Sequence, residues 1–116
     1  MRAVLSKAPG GPETLVVEDV LDPTPKAGEV VIEVKAVGIN YPDTLIIEDK
    51  YQFRPERPFS PGAEVAGVVE AVGEGVKGVA KGGRVIAVPG WGGLVERLAV
   101  RAETVIPIPE AMSFEE

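Results

Sequence analysis

The chain predicts a mainly β domain, a compact barrel or sandwich with one or two short helices, and three observations carry that reading. Short apolar runs recur along the sequence, each closed by turn chemistry. Glycine (14) and proline (11) exceed their usual combined share of roughly an eighth, without a collagen-like period and beside 45% apolar residues, too many for disorder. The best signals of a helix start lie in one short stretch, 40–47, and Ser113 with Glu115 and Glu116 resembles a second N-cap that no helix follows.

The strands are expected near Arg2–Leu5, Leu15–Val20, Glu29–Val37, Val65–Val72, Arg84–Val88, Leu94–Val100 and Thr104–Ile106. In 30–37 the residues alternate, with Val30, Ile32, Val34 and Ala36 on one face and Val31, Glu33, Lys35 and Val37 on the other. That period of two is a half-buried strand. The run 65–72 is apolar apart from Gly67 and Glu70, which predicts a central strand. Gly10-Gly-Pro12, Asp22-Pro-Thr-Pro25, Gly73–Gly78 and Pro89–Gly93 are the turns between them. For the helix, Asn40 is a natural N-cap, Pro42 sits in the tolerated first turn and Asp43 adds negative charge near the helix start. Leu45, Ile46 and Ile47 give it apolar contacts. At 116 residues the chain is a single domain, 1–116.

Composition narrows the chemistry. There is no cysteine and no histidine. Disulfides, Cys/His zinc sites, thiol nucleophiles and imidazole acid–base catalysis are therefore excluded, leaving carboxylates, amides, phenols, Lys/Arg and backbone groups. A net charge of −6 argues against nucleic acid as a partner. No apolar run reaches about 18 residues and no leader pattern opens the chain, so neither membrane insertion nor secretion is expected.

Several local signals have two readings. Gly73, Gly75 and Gly78 match G-x-G-x-x-G and follow a strand. That fingerprint needs a helix to open there, however, and Val79-Ala-Lys-Gly-Gly83 leads to another strand, so a glycine-rich turn is expected. Tyr51-Gln-Phe-Arg-Pro-Glu-Arg-Pro58 mixes aromatics with arginines. The acidic balance and Glu56 favour a solvated loop over a stacking platform, with Arg54 or Arg57 meeting an anionic substrate as the lesser alternative. Glu64, at a strand start, reads as a partly buried structural carboxylate or as part of a site. Trp91 either flanks a pocket or packs in the core. Asn40 and Asp43 are explained by capping alone, and a capped amide is also preorganised to meet a bound carbonyl or ribose.

Four segments, in order, resemble the catalytic domain of the medium-chain dehydrogenase/reductase superfamily: Val37-Gly-Ile-Asn-Tyr-Pro-Asp-Thr44, Pro61-Gly-Ala-Glu-Val-Ala-Gly-Val-Val-Glu-Ala-Val-Gly73, Lys81-Gly-Gly-Arg-Val85 and Gly92-Gly-Leu-Val-Glu96. The resemblance implies a GroES-like β-barrel. Zinc-dependent alcohol dehydrogenases of this superfamily carry Cys where Asn40 stands and His where Ala63 stands. The chain instead resembles the zinc-independent quinone oxidoreductases related to zeta-crystallin, which have Asn at the position of Asn40 and an acid at Asp43. That implies no metal ligands, NADPH as hydride donor, and a quinone or conjugated carbonyl as acceptor.

The residues carried over are Asn40, Asp43 and Tyr51 as catalytic candidates, with Asn40, Tyr41, Gly92 and Gly93 as cofactor contacts. Gly82-Gly-Arg-Val85 departs from the family's Gly-Asp-Arg-Val, which removes a turn carboxylate. Relatives continue into a Rossmann cofactor domain that this chain lacks, so the 116 residues alone are expected to be inactive. A cytoplasmic location and a homodimeric full-length form are further expectations. The rival reading is a stand-alone GroES-like binding or assembly module without catalysis.

Overall fold

A computed structural model describes residues 1–116. The strands are β1 (Arg2–Leu5), β2 (Val16–Asp19), β3 (Glu29–Gly38), β4 (Glu64–Val72), β5 (Arg84–Ala87), β6 (Arg97–Arg101) and β7 (Val105–Pro107), and the α-helix is α1 (Tyr41–Ile47). Single 3-10 turns occupy Pro12–Thr14 and Ala102–Thr104. Five strands form one antiparallel sheet in the order β6-β3-β4-β5-β7, and β1 pairs with β2 in a second. Bridges from Ala3 to Val95 and from Ser6 to Phe59 fasten the small sheet to the rest.

The central position expected for 65–72 is observed, β4 lying between β3 and β5. Gly67 has a steric reason: a Cβ there would lie 2.1 Å from the Glu33 carbonyl oxygen on β3. The main core joins Val30, Ile32, Val65, Val69, Val85, Ala87 and Val100, all buried. A smaller cluster, Ile46, Ile47 and Phe59, seats the helix.

Two expectations about strands need correction. The strict alternation in β3 fails towards its end, because the ladder to β4 leaves Lys35 as an extra residue on β3 between Val34 and Ala36. That bulge reverses side-chain parity, so Val37 packs on the main core with Val34. A second register shift, between Val31 and Ile32, has its extra residue, Glu70, on β4 and leaves β3 parity unchanged, although Val31 is buried as well. The strand placed at 94–100 begins only at Arg97. The Val95 N–H turns back onto the Gly93 carbonyl (2.8 Å) and the Leu94 carbonyl accepts from Val4 (2.9 Å), so these residues serve β1 before the chain joins β3.

The glycine-rich segment 73–78 is a turn with no helix, as expected, with Gly75 and Gly78 at φ +80 and +79. At Gly82-Gly83 the missing carboxylate is not needed. The Gly82 N–H and the Gly83 carbonyl both bond to Val69 at 2.8 Å and close the turn through the backbone.

Candidate functional site

Asn40 occupies the N-cap position of α1 in an extended conformation, φ −130 and ψ 166. The expected capping-box arrangement is present, but the Asn40 side chain completes no cap hydrogen bond of its own. The Asn40 carboxamide approaches the Asp43 N–H, but that N–H donates to the Asn40 backbone carbonyl at 3.0 Å. The reciprocal half is complete: the Asn40 N–H donates to Asp43 Oδ2 at 2.8 Å. The loop is therefore held through its backbone, and the exposed Asn40 carboxamide keeps its own donors and acceptor.

Asp43 is buried, and its second oxygen is also taken. Oδ1 accepts from the Gly62 N–H at 3.2 Å. Gly62 in turn accepts from the Gly93 N–H at 3.0 Å, while Gly92 donates to Ser60 (2.6 Å) and Leu94 to Pro61 (2.9 Å). The sequence-predicted Asn40, Asp43, Gly92 and Gly93 are thus brought into one hydrogen-bonded unit. Gly92 has φ +101, and a Cβ on Gly93 would meet Val65 Cγ1 at 2.7 Å and the Gly62 carbonyl oxygen at 2.9 Å. Gly93 serves the close approach of two backbones, whereas Gly92 serves the positive φ of the turn.

Tyr51 is not joined to that unit by a hydrogen bond. It packs on the Ile46–Ile47–Phe59 cluster and lies edge-on to Phe53, ring centroids 5.7 Å apart. Phe53 continues to Trp91 at 6.1 Å, so Trp91 belongs to a surface aromatic row beside Gly92 and not to the core. Tyr41, at the first helical position, is 74% exposed. Glu64 is exposed, against the expected partial burial, and lies over Gly38, whose missing side chain leaves it room.

Sequence reasoning missed Gly62 and Arg57. Gly62, at φ +104, is the link between the two loops, and the signal was a glycine between Pro61 and a strand start. Arg57 is no solvated loop residue. Its guanidinium donates to Asp49 Oδ1 (2.8 Å), the Ile47 carbonyl (2.8 Å) and Ser6 Oγ (3.1 Å), which commits it to the fold rather than to an anionic substrate.

Two surface grooves lie elsewhere. One of about 410 Å3 runs between the β1–β2 pair and β3, lined by Val4, Val17, Val34, Val37 and Leu94. The other, of about 340 Å3, lies over Gly38, Glu64, Ile86, Val88 and Phe114. No group of three or more Asp or Glu side chains is placed to hold a metal ion.

Residues 26–110 match the family model of the alcohol dehydrogenase GroES-like domain. The chain belongs to this family. Among its relatives, the rat quinone oxidoreductase is 39% identical over 98% of this chain and 35% of its own length. The structure of a human synaptic vesicle membrane protein VAT-1 homolog-like protein superposes with a TM-score of 0.94 at 38% identity, covering 98% of this chain and 37% of that one. The Escherichia coli quinone oxidoreductase, solved in complex with NADPH, gives 0.93 at 34% identity, covering 99% of this chain and 35% of that one. The GroES-like domain thus spans about a third of the length of the relatives it matches. The fold and the superfamily that the ordered motifs implied are those found.

Proposed function

We propose that this domain is the substrate side of a zinc-independent, NADPH-dependent oxidoreductase, completed by a Rossmann-type cofactor domain, that reduces a quinone or a conjugated carbonyl. One observation carries the reading. Asn40 presents an exposed carboxamide with no cap bond of its own, on a loop tied through Asp43 and Gly62 to the Gly92–Gly93 turn. Relatives named quinone oxidoreductases, one of them complexed with NADPH, support it.

Bound NADPH would supply the hydride. The chain's own part is to bind, orient and exclude water. The Asn40 amide donates to the acceptor oxygen or meets the nicotinamide ribose, a fixed dipole where charge gathers. Gly92 and Gly93 present a side-chain-free turn against which a flat ring can rest. Tyr41 and Tyr51 pack at the edges of that space. Asp43, with both oxygens accepting backbone N–H groups, acts through Asn40 rather than as a proton donor. A cytoplasmic location and a homodimeric complete form belong to the same proposal.

Asn40→Ala in the complete protein tests it. Losing one transition-state hydrogen bond of about 1.4 kcal/mol lowers kcat/KM about tenfold, and the unfolding midpoint stays put because the loop is held by its backbone. Unchanged kinetics with quinone and NADPH would remove Asn40 from the site.

A further inference from the structure

Asp43 is the one buried carboxylate in the chain, and its environment is more specific than capping requires. A capping acid needs one backbone N–H from its own helix start. Asp43 accepts that one from Asn40 at 2.8 Å and a second from Gly62 at 3.2 Å, a residue 19 positions away. Gly62 passes the contact on, since its carbonyl accepts from Gly93 at 3.0 Å, and Ser60 and Pro61 accept from Gly92 and Leu94 on either side. The glycines at 62 and 93 permit the approach. A Cβ on Gly62 would lie 3.0 Å from the Leu94 nitrogen, and one on Gly93 would lie 2.9 Å from the Gly62 oxygen. A charged acceptor strengthens both of its bonds, and burial makes leaving either N–H unpaired costly.

We infer that Asp43 is a positioning residue: it locks the Asn40 loop and the Gly92–Gly93 turn into one rigid unit, with Gly62 as the shared link. The spacing between the Asn40 amide and the turn is then set by a single side chain that touches neither substrate nor cofactor. The consequence for turnover rests on the function proposed above, whereas the lock itself does not.

The test is residue-resolved amide exchange on the chain, followed by kinetics on the complete protein. Asp43→Asn keeps the shape but offers one acceptor oxygen and one N–H2 donor, so only one of the two backbone N–H groups stays paired. Exchange at Asn40 or at Gly62 is expected to rise at least tenfold, with Gly93 following when Gly62 is released. Amides of the β3–β4 ladder keep their rates. Asp43→Ala releases both loops. Unchanged exchange at Asn40 and Gly62, or an equal rise at every amide, overturns the lock.

In the complete protein, Asp43→Asn is expected to lower kcat about tenfold while KM for NADPH stays within about twofold, the split expected when reacting groups are misplaced but ground-state binding survives. Combined with Gly93→Ala, the effect is less than additive, since both substitutions break one connection. Raised exchange with wild-type kcat would refute the positioning role and leave Asp43 purely structural. If the unmodified complete protein reduces no quinone, the proposed function fails, and the exchange data still decide the lock.

Discussion

Arg57 shows at the scale of one residue how much a loop can depend on a single side chain. Its guanidinium is shared among Asp49, Ile47 and Ser6 and lies 5.2 Å from the Phe59 ring centre. Asp49 itself sits at φ +59, an uncommon conformation that the ion pair helps to hold. Arg57→Ala is expected to cost about 2 kcal/mol, below the cost of breaking a fully buried pair because Asp49 retains some solvent. Arg57→Lys falls between, since the three donors of an ammonium sit on one nitrogen and cannot reproduce bonds made from three separate guanidinium nitrogens. Chemical denaturation of the three proteins checks the order. None of this was legible locally: Ser6 lies 51 positions from Arg57, and a loop of mixed charge and aromatics looks solvated until its distant partner is known. Asn40 and Asp43 were legible because capping chemistry is confined to four consecutive residues. The link from Asp43 to Gly62 was not, because a backbone N–H leaves no mark in the sequence.

For the elements, every expected strand exists and the helix starts where its signals put it, because turn residues and apolar runs are local information. What alternation could not reveal was parity. The bulge at Lys35 in β3 comes from pairing with β4, and it brings Val37 onto the core face. The start of β6 was misplaced for a related reason, since Leu94 and Val95 are as apolar as strand residues but are claimed by β1. Glycines separate by mechanism at this scale. Gly67→Ala drives a methyl to within 2.1 Å of the Glu33 carbonyl oxygen and 2.7 Å of Ile32 Cγ2, which forces the β3–β4 ladder apart. Its expected cost is about 3 kcal/mol or more. Gly75→Ala meets no neighbour and pays only for its φ of +80, about 1 kcal/mol. Comparable losses of unfolding midpoint for the two variants would contradict this assignment of causes.

Across the whole molecule, acidity is spread over the surface as short-range pairs. The Met1 ammonium 2.9 Å from Asp22 holds that carboxyl below its ordinary range. Lys35 does the same for Glu33 at 2.6 Å, and Glu103 is lowered by its own backbone N–H and then by Arg101. A carboxylate with a depressed folded pKa binds fewer protons in the native state than in the unfolded one. Its contribution is present above the unfolded value and lost as pH falls through the folded value. The melting temperature should therefore hold through neutral pH and decline below about pH 4. Because these pairs are solvent-exposed, the decline should be shallow and blunted by salt. A loss beginning near pH 6 would point to other groups. The surface aromatic row has a consequence of a different kind. Trp91 is the chain's only tryptophan, and it sits partly exposed against Phe53, one residue before the Gly92–Gly93 turn. All indole fluorescence of this domain therefore originates beside the candidate site. A quinone arriving there would quench it directly, giving a label-free optical record of binding at one known position.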